Sequence, residues 1–280
     1  MKLVAIIVAY RPNNKQLLYN INSFIEDIDQ LLIYKNSKIE IEEDLKIKYG
    51  DKIIFLGNEE NYGIGKALNT GVLWAKNNLF SHILTFDQDS FFTKGHLSQF
   101  KTMIFENQNN NIGVFCPNID NRGSLLLTTN EDVVVVPDSI TSGTIFPVEN
   151  FQTTGWFNEE LFIDAVDYEF CYRINHKFGL LTVIYPKVIL KHEVGNATKI
   201  KFGFMSDNYS AFRTFFIVKN HFLIWRKYPI LFQKNYKITL IKIHIIHRVI
   251  KIIIGEEDKI IKLKAIARGL YKGLIEKNIL

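Results

Sequence analysis

The feature that most restricts how this chain can fold is a series of short apolar, β-branched stretches separated by helical patterns. Leu3 to Ala9 (LVAIIVA) contains no polar residue, so the strand it forms must be covered on both faces, as in a parallel sheet flanked by helices. Leu17, Leu18, Ile21, Phe24 and Ile25 then recur at helical spacing. Residues 30–34 and 52–56 read as strands and residues 64–76 as a helix. A strand at 81–86 follows, with a helix near 94–106 and a strand at 112–116. A hairpin is expected over 124–136, turning at Thr129 and Asn130, and an apolar strand over 181–190. This alternation predicts an α/β fold built from βαβ units around a mostly parallel sheet.

Charge divides the chain. Residues 211–280 hold 15 Lys+Arg against 4 Asp+Glu, a net of +11, whereas residues 1–210 hold 19 against 25, a net of −6. The expected organisation is an α/β domain over 1–210 and a basic helical extension over 211–280. Within that extension, residues 241–254 (IKIHIIHRVIKIII) place His244, His247, Arg248 and Lys251 on one helical stripe and fill almost all of the remaining surface with Ile and Val. Such a helix suits the plane of an anionic membrane surface. A helical cap on the α/β domain, or a dimerising element, is the alternative. Lys, His or Arg interrupts each candidate before the roughly 18 apolar residues a spanning helix needs. The basic residues alternate with Ile rather than with stacking aromatics, which argues against a nucleic-acid partner.

A composition of 47% apolar and 22% charged residues excludes a disordered chain. The two cysteines, Cys116 and Cys171, are too few for a disulfide framework. The opening MKLVAIIVAY runs into Arg11 and Pro12 without a small-residue cleavage site. The expected location is therefore cytoplasmic, with the basic extension favouring peripheral attachment to a membrane surface.

Residues 82–92, HILTFDQDSFF, put Asp87 and Asp89 one residue apart at the C-terminal end of a strand, where open α/β sheets bind their ligands. Such a pair can hold Mg2+ or Mn2+ and leave coordination positions for diphosphate oxygens. A solvated turn or helix cap is the plainer explanation. Residues 58–71, NEENYGIGKALNTG, lead through glycines into a helix whose N-terminus favours phosphate, although structural turns explain each glycine equally well. In residues 161–173, LFIDAVDYEFCYR, the acids Asp164, Asp167 and Glu169 lie among apolar neighbours. Burial there raises a carboxylate's pKa and prepares it to accept a proton, unless one of them simply pairs with Arg173. His192 follows an apolar strand and can ligate metal, touch phosphate or serve structure alone.

Taken in order, VAYRPN, NYGIGKALNTG, FDQDS, TSGTIF (141–146), GWFNEELFIDAVDYEFCYR and KHEVG give the first 200 or so residues a resemblance to inverting family 2 glycosyltransferases. These have the Rossmann-like GT-A fold, and the chain is most similar to their bacterial rhamnosyltransferase-like branch. The resemblance implies that Asp87, Asp89 and His192 hold the metal, with Ser90 completing the motif. It implies that Asp167 is the catalytic base, supported by Asp164, Glu169 and Arg173. Donor contacts would come from Ala9, Tyr10, Arg11, Lys35, Asn61, Gly63, Gly65, Lys66, Asn69, Phe86, Asp87 and Gln88. Ser142, Gly143 and Trp156 would meet the acceptor.

The stretch after the second strand departs from the family's Asp-Asn-x-Ser, reading Tyr34-Lys35-Asn36-Ser37, so the nucleotide base stays open. The implied donor is dTDP-L-rhamnose, with UDP-galactose, UDP-galactofuranose or UDP-N-acetylglucosamine as alternatives. The implied acceptor is a lipid-linked saccharide of capsule, O-antigen or wall polysaccharide synthesis. A non-catalytic nucleotide-sugar-binding scaffold is the competing reading from another class, and retention of all three aspartates argues against it.

Overall fold

In the computed structural model, which describes residues 1–107, 109–192, 198–199, 205–206, 208–230 and 234–275, the first apolar run forms the buried strand β1 (Leu3–Ala9). Helix α1 (Asn14–Asn22) starts at Asn13, whose side chain caps the Gln16 N–H, and buries Leu17 and Ile21. Then come β2 (Gln30–Lys35), α2 (Glu42–Tyr49), β3 (Ile53–Leu56), α3 (Gly63–Asn77) and β4 (His82–Asp87). Next are β5 (Phe91–Phe92), α4 (His96–Glu106), β6 (Ile112–Asn121), β7 (Ser124–Leu125), β8 (Val134–Val136) and β9 (Thr144–Pro147). Helices α5 (Asn150–Thr154) and α6 (Val166–Phe178) precede β10 (Leu181–Lys191). Of the motif at 191–195, residues 193–195 lie outside the described residues.

The sheet runs β3-β2-β1-β4-β9-β6-β10-β5, with β7 added beside β6 and β8 beside β10. β1 pairs in parallel with β2 on one side and β4 on the other. The chain thus builds outward from β1 to β3 and then returns to the other side of β1. That reversal opens a crevice at the carboxyl ends of β1 and β4. Next to β4, β9 enters antiparallel, which makes the sheet mixed.

The chain forms two compact units. The first is Met1–Glu159 with Phe170–Glu193 and contains the large sheet; the second is Glu160–Glu169 with Val194–Leu280. The core of the first unit includes Leu3, Ile7, Leu17, Ile33, Leu84, Phe100 and Tyr185, each at most 2% exposed. Burial of one such side chain contributes about 1.5–3 kcal/mol.

The expected 124–136 hairpin does not form. β7 pairs back on the end of β6 through Arg122 and Gly123, both at positive φ, while β8 pairs with β10. Two residues at positive φ make the tight turn that matches strand twist, so the reversal falls at 122–123 rather than at Thr129 and Asn130.

In the second unit, β11 (Thr198–Lys199) pairs with β12 (Met205–Ser206). Helix α7 (Ala211–Lys227) packs on α10 (Lys259–Ile275), around Val218, Phe222, Ile252 and Ile266. Between them, α8 (Lys234–Leu240), a π-helical turn (Ile241–His247) and α9 (Arg248–Gly255) follow one another without a break.

The polar stripe of residues 244–251 turns partly inward. The His244 ring stacks on His221 with centroids 4.1 Å apart, and burial pushes their pKa values down to about 4 and about 3, so both are neutral at pH 7. Arg248 ion-pairs with the buried Glu256, which also accepts from Lys262 at 3.0 Å. Ile238, Ile241, Ile246, Ile250 and Ile253 are left exposed. Periodicity identifies which residues share a face, but the buried partners Glu256 and His221 decide which face turns in. Among the described residues, no helix is long and apolar enough to cross a membrane.

Candidate metal and diphosphate site

Several predicted donor contacts converge at the reversal of strand order. Across the ends of β1 and β4, the Tyr10 N–H donates to Gln88 Oε1 at 2.8 Å and Gln88 Nε2 donates to the Tyr10 carbonyl at 3.2 Å. From the end of β2, the Asn36 N–H donates to the Ala9 carbonyl at 2.9 Å, and Ser37 Oγ accepts from the Arg11 N–H at 2.6 Å. The buried Asn36 side chain also accepts from the Tyr62 N–H and donates to the Gly63 carbonyl, tying β2 to the start of α3. Asn61 accepts from the Gly63 N–H at 3.0 Å.

The Asp87–Ser90 turn is braced from three sides. Asn20, buried on α1, donates to the carbonyls of Asp87, at 2.7 Å, and Ser90. The Asp87 N–H donates to Ser142 Oγ at 3.1 Å, Ser142 Oγ lies 2.8 Å from Ser90 Oγ, and Ser90 Oγ lies 2.6 Å from His192 Nδ1. With Nδ1 engaged, Nε2 is the ring nitrogen that can take a further partner. One ligand atom from each of Asp87, Asp89 and His192 lies within 4.8 Å of the others.

Two carboxylates this close repel by an energy of order 1–4 kcal/mol, depending on the local dielectric. A divalent cation reverses that sign. Two carboxylate oxygens and an imidazole nitrogen form a donor set that fits Mn2+ or Mg2+, so Asp87, Asp89 and His192 are the residues that would hold the ion.

Other expected site residues have these packing partners. The Phe86 ring is buried against Phe24 and Phe92, with centroids 4.6 and 5.4 Å away. Lys35 Nζ lies 3.0 Å from Glu42 and 3.5 Å from Glu59, its charge offset by two carboxylates. At Gly65 an added Cβ would stand 2.9 Å from the Asn158 carbonyl oxygen, so this glycine admits the protein's own backbone. Gly143 has φ +73 and a Cβ there would meet Leu190 at 2.8 Å.

Asn69 accepts from the Phe157 N–H and donates to the Phe157 carbonyl and Glu159, each at 2.9 Å. Together Lys66, Asn69, Trp156 and Glu159 line a cleft of about 370 Å³. Arg173 is buried and donates to the carbonyls of Thr154 and Trp156.

Asp167 sits in the first turn of α6, where the helix dipole favours a carboxylate, and its Oδ1 accepts from the Tyr168 N–H at 3.0 Å. Asp164 receives a two-point contact from Arg213 at 3.1 and 3.2 Å; burial pushes its pKa up and Arg213 draws it back. Glu169 is fully buried, accepting from Lys227 at 3.0 Å and from the Tyr228 hydroxyl at 2.6 Å. Phe162, Asp164 and Ala165 all have positive φ, a conformation costing about 1–3 kcal/mol per non-glycine residue.

Asn20, Asn36, Arg213 and Asn220 were not singled out by sequence reasoning. The available signal was an amide at a buried phase of an apolar helix, as at Asn20 and Asn220.

Comparison with known proteins supplies the context. The family model described as glycosyl transferase family 2 matches residues 5–159. A dTDP-rhamnosyl transferase of Shigella flexneri, RfbF, is 28% identical over 245 residues, spanning 80% of each chain. Among solved structures, GalNAc-T7 with UDP, GalNAc and Mn2+ superimposes with a TM-score of 0.63 at 13% identity. That likeness covers 86% of this chain, which spans 50% of the GalNAc-T7 chain. S. aureus TarS 1-349 in complex with UDP gives 0.53 at 15% identity, over 97% of this chain and 71% of that one. Since the family model takes in more than half of the sequence and the sheet carries the fold expected from the motifs, the chain belongs to glycosyl transferase family 2, with its GT-A fold.

Proposed function

We propose that the protein is a metal-dependent inverting glycosyltransferase that moves L-rhamnose from dTDP-L-rhamnose to a lipid-linked saccharide in bacterial surface polysaccharide synthesis. The observation that carries the metal and diphosphate assignment is the Asp87–Asp89–His192 cluster at the strand-order reversal. Rhamnose as the sugar is supported by the 28% identity to a dTDP-rhamnosyl transferase. A bound cation would offset the charge that develops on the leaving diphosphate.

Around the donor, the paired Tyr10 and Gln88 fix the β1–β4 crevice, and Ser142 and Ser90 hold the turn and the His192 ring. Asp167 takes the proton of the acceptor hydroxyl as its oxygen attacks the anomeric carbon; the bond to diphosphate breaks with inversion. A UDP-hexose donor is the second reading, favoured by the UDP in the GalNAc-T7 and TarS structures, with Lys35 in place of the family's aspartate leaving the base open.

Thermal stabilisation in the presence of Mn2+ tests the donor. A ligand at 100 times its Kd adds about 2.7 kcal/mol, a shift of about 5–10 °C for a chain of this size. The expected result is that dTDP-L-rhamnose with Mn2+ gives this shift and neither gives it alone. A shift with UDP-sugars only moves the assignment to the second reading; no shift with any nucleotide sugar removes both.

Attachment to the inner face of the plasma membrane belongs to the same proposal. Ile238, Ile241, Ile246, Ile250 and Ile253 are exposed, Lys242 lies exposed among them, and Lys264 and Arg268 lie exposed on α10, a combination complementary to an anionic lipid surface. The full chain is expected to float with phosphatidylglycerol-containing vesicles. Ile246→Glu combined with Ile250→Glu lowers partitioning about a hundredfold or more, since each buried Ile contributes at least about 1.5 kcal/mol. Equal flotation of variant and parent contradicts the assignment, and loss of a dimer in light scattering instead identifies the face as a contact between copies.

A further inference from the structure

Helix α7 holds the backbone that presents Asp167. Its Asn220 is fully buried and directs Nδ2 at the carbonyls of Leu161, Ile163 and Asp164, at 2.7, 2.8 and 2.9 Å. Arg213 lies seven residues earlier, on the same side of the helix, and grips the Asp164 carboxylate with Nε and Nη2. Lys219 Nζ donates to the Glu160 carbonyl at 3.0 Å. Beyond Asp167, Lys227 and Tyr228 both reach Glu169. The segment 160–169 is thereby held on either side of Asp167 by residues from α7 and its C-terminal end.

The segment is poorly built to hold itself. Phe162, Asp164 and Ala165 have φ of 61, 61 and 64, and left-handed non-glycine residues persist only where their surroundings over-determine them. In this conformation the carbonyls of Leu161, Ile163 and Asp164 gather around one buried amide nitrogen, whose two N–H groups are shared among them, while the Leu161 carbonyl also accepts from the Ile163 N–H. Immediately afterwards α6 begins, with Asp167 as its second residue. Any rotation of the turn therefore swings the Asp167 carboxylate.

We propose that Asn220 and Arg213 are positioning residues, which lock the left-handed turn at 162–165 and so aim the Asp167 carboxylate at its proton. This deepens the reading of Asp167 as the base and rests on it. It makes α7, within the basic last 70 residues, part of the apparatus for proton transfer. Positional errors of about 1 Å cost about 10²-fold in turnover without weakening donor binding.

The test uses the full-length chain and two readouts. In hydrogen–deuterium exchange, Asn220→Ala is expected to speed exchange of the peptide covering 160–169 at least tenfold while peptides from β1 and β4 keep their wild-type rates. In metal-dependent turnover of dTDP-L-rhamnose, the same variant is expected to lose about 10–100-fold in kcat with donor KM within twofold. In an Asp167→Asn background it is expected to cost nothing further, because the two changes act through one group.

Unchanged exchange at 160–169 overturns the proposal. So does faster exchange with unchanged kcat, or an additive loss in the Asp167→Asn background. Where Asn220→Ala does not fold, Arg213→Lys keeps the charge but loses the planar two-point grip, and the same kcat-against-KM split is expected in smaller measure. If the wild type turns over no nucleotide sugar, the functional reading fails, while the exchange result still decides whether α7 holds the turn.

Discussion

Asp167→Asn lowers turnover by about 10²–10⁴-fold and leaves Mn2+-dependent donor binding within a factor of two: this is the expected result if Asp167 is the base. The substitution keeps size and shape and removes only the ability to take a proton at physiological pH. Asp167 lies at the N-terminal turn of α6, half-buried, with its Oδ1 accepting from the Tyr168 N–H.

Its acidic neighbours are engaged differently. Glu169 is buried between Lys227 and Tyr228, and Asp164 is held by Arg213, so losing either disturbs structure first. The check is steady-state kinetics beside a donor-binding measurement. Turnover within tenfold of wild type in Asp167→Asn would assign the proton to another group.

The second large effect concerns the ion. Asp89→Asn and Asp87→Asn are each expected to weaken Mn2+ binding by more than the about 10–100-fold typical of losing an outer hydrogen-bond partner, and to abolish activity. Ser90→Ala supplies that smaller figure, because Ser90 touches the His192 ring at 2.6 Å and belongs to the braced turn without being in the ligand group. Isothermal titration with Mn2+ ranks the three variants. Equal affinity in Asp89→Asn and wild type would place the ion elsewhere.

Much of the fold was legible because β1 is a continuous apolar run and β2, β4 and β10 are predominantly apolar, each bounded by polar turns, a pattern compatible with few alternatives. Helix α2, EEDLKIKY, escaped because only Leu45 of its residues is buried; Glu42 and Lys46, paired at i and i+4, support it instead. The 122–123 reversal escaped because neither Arg122 nor its short strand β7 carries an apolar pattern.

At the site, Asp87, Asp89 and His192 were legible as chemistry, and the structure gathers them although 103 positions separate Asp89 from His192. The bracing amides Asn20, Asn36 and Asn220 were not, since each acts on backbone carbonyls or amides brought near only by the tertiary fold. At Gly65, the missing side chain makes room for Asn158 and Glu159, a close backbone approach that only the tertiary fold reveals. In the last helices the sequence marks two faces, but the direction each turns depends on where Glu256 and His221 lie.

The claim on which the rest depends is that the acidic pair at the end of β4 and His192 together seat a cation against a nucleotide's pyrophosphate. Anomalous scattering from a crystal of the whole chain soaked with Mn2+ and dTDP addresses it directly. The account predicts a single manganese peak in coordination range of Asp89, Asp87 and His192, completed by diphosphate oxygens. Nucleotide bound with no manganese at those three side chains, or manganese bound elsewhere, would contradict it.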